Sequence, residues 1–153
     1  MRPGVRLGVD VGRARVGIAV CDRDGLLATP VATLARADAD ERAFRLLVDE
    51  HDPTEIVVGL PLSLGGGDTA STTDAREFAA AVAGWVGLPV RLVDERLSTV
   101  SAQRALHAAG RRTKGSRPVI DQVAAVIILQ NALDHERSAG LPPGTTVDPD
   151  GGA

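Results

Sequence analysis

Short apolar runs separated by turn residues dominate the first third of the chain and predict β-strands. Two runs rich in Val, Ile and Leu, at residues 6–11 and 16–21, flank a turn that begins at Gly12. Gly12 gives the backbone freedom that a tight turn needs, so the pair predicts a hairpin. A turn rich in Asp and Gly precedes a third run at residues 26–34. We expect three consecutive antiparallel strands, with Pro30 placing the third at the sheet edge because proline cannot donate a ladder hydrogen bond.

Beyond this region the apolar positions change to helical spacing, and helices then alternate with strands. The predicted elements are a helix capped by Asp38, a buried strand at residues 55–59, a helix at 72–86, a strand at 90–93, a helix from Ser98 or Thr99 to 109, and a final helix from Pro118 to 139. This order predicts an α/β fold with a mixed five-stranded sheet, three antiparallel strands and then two parallel ones, covered by helices on both faces. The domain is expected to span residues 1–139, and residues 140–153, which have no core-forming pattern, to be a disordered tail.

Composition restricts how this chain would hold a partner. The 153 residues suit one domain. Aromatic residues make up only 2% of the chain, which argues against binding nucleic acid by stacking bases on aromatic side chains. The net charge of −3 argues against a protein that coats DNA in general. Four cations with no acid among them nevertheless crowd one segment, which is either a phosphate-binding surface or a solvated loop: Arg111, Arg112, Lys114 and Arg117.

No segment of the sequence has the pattern of a membrane or secretion signal. The first residues lack the apolar stretch of a signal peptide, and no apolar run approaches the roughly 20 residues that span a bilayer. The single cysteine, Cys21, has no partner for an intrachain disulfide. We expect a soluble cytoplasmic protein that does not act on membranes.

Three carboxylates stand where acidic residues are unusual. Asp10 lies inside an apolar strand, Glu95 follows the last predicted strand, and Asp121 lies one turn into an apolar helix. A buried carboxylate costs several kcal/mol, on the order of the penalty for burying any ion, unless it is paired or bound to a cation. Each has an ordinary alternative: Asp10 as a turn cap, Glu95 as part of a surface ion pair in which Arg96 joins either Glu95 or Asp94, and Asp121 as a first-turn helix acid.

Their joint placement favours a metal site. Neighbouring central strands and a helix packed over their ends would bring the three acids together, and clustered carboxylates bind hard divalent cations such as Mg²⁺ or Mn²⁺. Such clusters hydrolyse phosphodiesters, with two metal ions about 3.5–4 Å apart that activate water and stabilise the leaving oxygen. The three histidines are scattered and offer no rival site.

Four segments in fixed order resemble one known family. They are Gly8-Val9-Asp10-Val11-Gly12 with Val16-Gly17-Ile18-Ala19-Val20, then Ile56-Val57-Val58-Gly59-Leu60-Pro61-Leu62, Asp94-Glu95-Arg96-Leu97-Ser98-Thr99, and the run from Ile120 to Gln130. Together they are similar to the YqgF family of Holliday-junction-resolvase-like proteins, which are described as candidate pre-16S rRNA nucleases. The resemblance extends to about Leu133.

The resemblance implies a ribonuclease-H-like fold and metal-dependent cleavage of structured nucleic acid, in particular maturation of the 5′ end of 16S ribosomal RNA. The acidic residues of the family fall on Asp10, Glu95 and Asp121, the three that burial had already indicated. The Gly-Leu-Pro loop of the family falls on residues 59–61, near the expected substrate cleft. The first turn departs from the family pattern, because Arg13-Ala14-Arg15 stands where Lys-Arg is common.

Our hypothesis assigns Asp10 as a bridging metal ligand, with Glu95 and Asp121 on either side. Basic side chains would hold phosphates without recognising sequence: Arg13, Arg15, Arg111, Arg112, Lys114 and Arg117. The partner is then structured RNA such as pre-16S rRNA, or branched DNA if the chain is a four-way junction resolvase. A non-catalytic nucleic-acid-binding regulator of the same fold is the other alternative. We expect a monomer or a weak homodimer.

Overall fold

The structure is a computed structural model that describes residues 1–97 and 117–147, and within these ranges it holds six strands and three long helices. The elements are β1 (Arg6–Val11), β2 (Arg15–Cys21), β3 (Ala28–Ala35), α1 (Glu41–His51), β4 (Glu55–Leu60), α2 (Ala70–Val86), β5 (Val90–Asp94), α3 (Arg117–Ala139) and β6 (Thr145–Val147). Single 3₁₀ turns at Arg36–Asp38 and Glu95–Leu97 follow β3 and β5. The helix predicted up to residue 109 and most of the basic segment, with Arg111, Arg112 and Lys114, lie outside the described residues.

The six strands form one mixed sheet in the order β3-β2-β1-β4-β5-β6. β2 is antiparallel to both of its neighbours, β1 and β3, whereas β1, β4 and β5 run parallel to one another. The predicted arrangement of three antiparallel strands followed by parallel ones is therefore confirmed, and Pro30 lies in the edge strand as expected. Strands β1 and β5 are not adjacent, however, because β4 lies between them. Strand order is set by tertiary packing, which local sequence periodicity does not report.

Two sequence predictions are wrong in detail. The segment after residue 139 is not disordered up to residue 147, because β6 pairs antiparallel with β5 and makes a sixth strand. Val147 is only 8% exposed, and Arg91 donates a hydrogen bond to the Pro143 carbonyl oxygen at 3.0 Å. The sequence does not indicate β6, because a three-residue strand is too short to show any periodicity.

The cap of α1 also differs from the prediction. It is Asp40, whose side chain accepts a hydrogen bond from the Ala43 amide, rather than Asp38.

The sheet is covered on both faces, as predicted. On one face α1 and α2 pack with alternate residues of the central strands, including Val9, Ile18 and Val58. On the other face α3 packs across β1, β2 and β3, with Ile128 and Leu129 in the core. None of the helices in the described part of the chain has the length and hydrophobicity that a membrane span requires.

Ion pairs at the amino-terminal ends of β1 and β4 hold Arg2 and the C-terminal part of α3 against the sheet. The Arg2 guanidinium contacts Glu136 of α3 at 2.9 Å and Glu55 of β4 at 3.1 Å. Arg6 lies 3.5 Å from Glu136, and Arg91 of β5 lies 3.3 Å from Glu55. The C-terminal part of α3 is thereby fixed at this end of the sheet, so its first turns point toward the opposite end.

Replacing Glu136 by Gln should lower the free energy of unfolding by about 2–3 kcal/mol at pH 7, since it leaves buried arginine charge without its partner. Hydrogen bonds from Arg2 lower the pKa of Glu136 from its ordinary 4.5 to about 2. A lowered carboxyl pKa gives stability that is present above pH 4.5 and is lost as the pH falls toward 2. The difference between wild type and Glu136→Gln should therefore shrink over that range in urea unfolding.

The matched control is Glu41→Gln, which removes an exposed ion pair with Arg45 at 2.7 Å on α1. An exposed pair of this kind contributes at most about 1 kcal/mol. Equal losses of stability in the two variants would contradict the role given to Glu136.

Candidate active site

Asp10 lies on the face of the sheet that α3 covers, near the carboxyl end of β1. It is 2% exposed and pairs across the hairpin with Gly17. Its neighbour Val9 points to the opposite core and is in register with Val58 of β4. Because successive residues of a strand alternate faces, this register sets Asp10 beside Gly59 on the α3 face.

Glu95 reaches the same place from β5, across the intervening strand. It is the first residue after β5 and is 6% exposed. Its Oε1 atom lies only 2.9 Å from the position that a Cβ atom on Gly59 would occupy. The Glu95 carboxylate therefore lies over Gly59, the residue beside which the register sets Asp10. The missing side chain at residue 59 leaves room for a carboxylate that comes from β5.

Helix α3 approaches this end of the sheet unusually closely. A Cβ atom on Gly59 would lie 2.5 Å from Ile128 Cδ1, and one on Gly8 would lie 2.7 Å from Leu129 Cβ and 3.1 Å from the Ala125 carbonyl oxygen. A side chain at Gly8 would require the helix itself to move away, because Leu129 Cβ lies close to the helix backbone. A side chain at Gly59 would instead displace the ends of the Ile128 and Glu95 side chains.

Asp121 belongs to the first turns of α3, as predicted, but its side chain lies outside the described residues. Its backbone is one helical turn, about 6 Å, before Ala125. That turn leads toward the end of the sheet at which Asp10 lies, because the other end of α3 is held beside Arg6. Among the side chains that are described, no three His, Cys, Asp or Glu residues are close enough to form a metal site. The three-acid metal site thus stays a prediction.

Arg96 pairs with Asp94, one of the two partners that the sequence suggested for it. Its guanidinium contacts Asp94 Oδ2 at 2.7 Å and Oδ1 at 3.1 Å, and its amide also donates to Asp94 at 2.8 Å. These hydrogen bonds lower the pKa of Asp94. Arg96 also lies 3.0 Å from the position of a Cβ on Gly66, so it links the end of β5 to the glycine-rich loop.

The basic residues of the β1–β2 turn lie beside this end of the sheet. Hydrogen bonding by Arg36 lowers the pKa of Asp74 of α2, and the charge of the exposed Arg13 adds to that effect. Arg15 opens β2 and is half-buried. Arg117 begins α3, but its side chain is not described. Arg111, Arg112 and Lys114 lie outside the described residues altogether. Their predicted role in phosphate binding stays a prediction.

Two contacts at the start of α2 were not foreseen from the sequence. The Thr72 hydroxyl donates to the carbonyl oxygen of Pro61, which ends the Gly-Leu-Pro segment. Asp74, half a turn later, accepts two hydrogen bonds from Arg36. Both are common polar residues in ordinary helical positions, and only the tertiary structure shows what they hold.

Comparison with known proteins decides the family. The model of the RuvX family, described as Holliday junction resolvase, matches residues 4–135. The chain belongs to the RuvX family. This confirms the predicted relationship to YqgF-like proteins and identifies the chain as a nuclease, an enzyme that hydrolyses phosphodiester bonds.

Two relatives of this RuvX chain are similar over almost their whole length. The protein of Leifsonia xyli subsp. xyli is 56% identical, with 97% of both chains covered, and that of Clavibacter michiganensis subsp. michiganensis is 58% identical, with 98% of both covered. Both are named candidate pre-16S rRNA nucleases.

A solved structure supports the fold. RuvC of T. thermophilus, in complex with Holliday junction substrate, superposes with a TM-score of 0.58 at 17% identity, covering 92% of this chain and 99% of RuvC. At that identity the similarity concerns the fold alone, and it confirms the ribonuclease-H-like class for this RuvX protein.

Replacing Gly59 by Ala should lower stability by about 1–3 kcal/mol, since the added methyl group overpacks against Ile128. It should also reduce phosphodiester cleavage about tenfold or more, because it displaces the Glu95 carboxylate by a sizeable fraction of an ångström. Thermal unfolding and a cleavage assay with a labelled substrate measure the two effects.

Gly84→Ala in α2 is the control, because no atom lies within 4 Å of the Cβ it would add. We expect that change to leave cleavage unaffected and to stabilise the helix by up to about 1 kcal/mol. Full activity in Gly59→Ala would mean that Glu95 does not have to lie over residue 59.

Proposed function

We propose that this RuvX protein is a divalent-metal-dependent nuclease that matures the 5′ end of pre-16S ribosomal RNA in the cytoplasm, with Asp10, Glu95 and Asp121 as its catalytic acids. The observation that carries the proposal is the buried Glu95 carboxylate over Gly59, in the strand next to the buried Asp10 at the carboxyl end of the sheet. The names of the two relatives support pre-16S rRNA as the substrate.

The donor set fits a hard divalent cation. Asp10 and Glu95 supply carboxylate oxygens from a site that excludes most water, and two like charges converging there are stabilised by a cation. Oxygen ligands of this kind suit Mg²⁺ or Mn²⁺ better than softer metals. Asp121 would complete the set from the first turns of α3. When bound, the cation supplies Lewis-acid activation of water and stabilisation of the charge that develops on the leaving oxygen.

The three acids act together in this proposal. Asp10, on the central strand β1, would hold the cation together with Glu95 and Asp121. Water attacks the phosphodiester directly, so no covalent link forms between enzyme and substrate. Arg13 and Arg15, beside the β1–β2 turn, bind neighbouring phosphates and hold the RNA strand without recognising its sequence.

Replacing Asp10 by Asn should abolish cleavage while leaving the fold intact, because Asn keeps the size of the side chain and removes its charge. Two labelled substrates are compared, an RNA carrying the 5′ end of a 16S precursor and a four-way DNA junction, each with Mg²⁺, Mn²⁺ or chelator. Asp24→Asn is the matched control, since it makes the same change in the exposed β2–β3 turn at the other end of the sheet.

Metal-dependent cleavage of the RNA alone, lost in Asp10→Asn and kept in Asp24→Asn, is the expected result. Cleavage of the junction alone would make the protein a resolvase instead, and a symmetric dimer in solution would then be expected. Tight binding without cleavage of either substrate would establish a non-catalytic regulator. Full activity in Asp10→Asn would overturn the catalytic assignment itself.

Replacing Arg111, Arg112, Lys114 and Arg117 together by Gln should weaken RNA binding and flatten its dependence on salt. Each phosphate contact contributes about 0.7 to the slope of log K against log salt for a single strand, so losing all four lowers the slope by up to about 3. The control replaces four exposed or half-exposed arginines elsewhere, Arg23, Arg42, Arg45 and Arg137. If both variants keep the wild-type slope, the basic segment is only a solvated loop.

A further inference from the structure

Arg36, just after β3, connects three elements beside the proposed active site. Its Nη1 atom donates to the Gly12 carbonyl oxygen at 2.9 Å and to Asp74 Oδ2 at 2.8 Å, and its Nη2 atom donates to Asp74 Oδ1 at 2.8 Å. Its backbone amide donates to the Ala14 carbonyl oxygen, also at 2.8 Å. One residue thus bonds twice to the β1–β2 turn and twice to helix α2.

Arg36 forms a bridge from Gly12 and Ala14 in the β1–β2 turn to Asp74 in α2, and the α2 end of this bridge is rigid. The Arg36 guanidinium carbon lies 4.9 Å from the ring centre of Phe78, one turn after Asp74 on α2. Phe78 is buried and packs edge-on against Phe44 and Trp85, with ring centres 5.6 and 6.0 Å apart. The guanidinium is therefore fixed in direction by a fork of hydrogen bonds and by an aromatic face in the core.

The other end of the bridge is the β1–β2 turn, which follows Asp10. Gly12 donates its amide to the Arg15 carbonyl oxygen at 2.9 Å, and a Cβ atom on Gly12 would lie 2.7 Å from that oxygen. The turn is consequently tight, and only Val11 separates Gly12 from Asp10. A displacement of Gly12 is passed directly to the backbone of Asp10 and to Arg13.

Chemistry as well as geometry makes the bridge specific to arginine. The three side-chain hydrogen bonds leave from two nitrogens held apart by the guanidinium plane, which the single ammonium of lysine does not reproduce. Arg36 and Asp74 are 29% and 34% exposed, so the pair lies at the rim of the fold rather than in its core. Hydrogen bonding with Arg36 lowers the pKa of Asp74, which stays ionised in the neutral range.

We propose that Arg36 is a positioning residue of the nuclease, which fastens the β1–β2 turn to α2 and so holds Asp10 in its catalytic position. The inference rests on the proposed function, because it gives Asp10 a catalytic role. Arg36 does not contact the substrate in this proposal. Asp74 is the second half of the bridge, so the loss of either Arg36 or Asp74 releases the turn.

The test compares Arg36→Lys, Asp74→Asn and the double variant with wild type. Each should lower kcat about tenfold or more, because small displacements of a catalytic group are costly, while KM changes less than about threefold. The double variant should lose no more than either single one, since both break the same bridge. Hydrogen–deuterium exchange should become faster at the amides of residues 12–16 in all three variants.

Arg45→Lys is the matched control. Arg45 also joins a carboxylate, Glu41 at 2.7 Å, to a backbone carbonyl, Trp85 at 3.1 Å, but at the opposite end of α2. It should leave both kcat and exchange in the turn unchanged. Thermal unfolding of every variant sets an assay temperature at which each is folded, and Asp74→Asn carries the test if Arg36→Lys is too unstable.

Three results would overturn the proposal. Unchanged kcat in Asp74→Asn, with a loss confined to KM in Arg36→Lys, would mean that Arg36 binds substrate directly. Unchanged exchange in the turn would mean that the bridge does not hold it. Wild type without cleavage of either substrate would overturn the proposed function and with it the effect of Arg36 on catalysis. The exchange measurement would still decide whether the bridge fixes the turn.

Discussion

The close approach of α3 to strands β1 and β4 is the contact on which the arrangement of the candidate active site depends. Gly8 and Gly59 leave no room for a side chain between sheet and helix, with Leu129 and Ile128 occupying the space. Since protein interiors are packed at crystal-like density, this contact fixes the height and direction of the helix. It also brings the first turns of α3, with Asp121, to the end of the sheet at which Asp10 is buried.

The two ends of the sheet bury their acids in contrasting ways. At the amino-terminal end, Glu55 and Glu136 lie within hydrogen-bonding distance of Arg2, and the network joins the chain ends. At the carboxyl end, Glu95 lies over Gly59, beside which the register sets Asp10. The first arrangement provides stability, and the second is where the proposed cation site lies. The separation follows from the general rule that parallel strands place functional groups beyond their carboxyl ends.

The sequence predicted the features that depend on local pattern. Alternating apolar residues indicated the strands, and a charge inside an apolar strand singled out Asp10. It did not predict that β4 separates β1 from β5, because strand order depends on packing between distant segments. Nor did it predict β6, whose three residues are too few to form a pattern, or the bridge from Arg36 to Asp74, which lie 38 residues apart and are unremarkable by themselves.

The start of α2 connects the loops on which the site depends. Thr72 holds Pro61 at the end of β4, and Asp74 holds Arg36 and, through it, Gly12 at the end of β1. Thr72 is fully buried and also caps its own helix with Thr69, so the anchor is rigid. Loops that carry catalytic groups gain precision when a regular element fixes them from behind. Helix α2 lies on the face of the sheet opposite to α3, and it therefore acts on the site through the backbone of these turns.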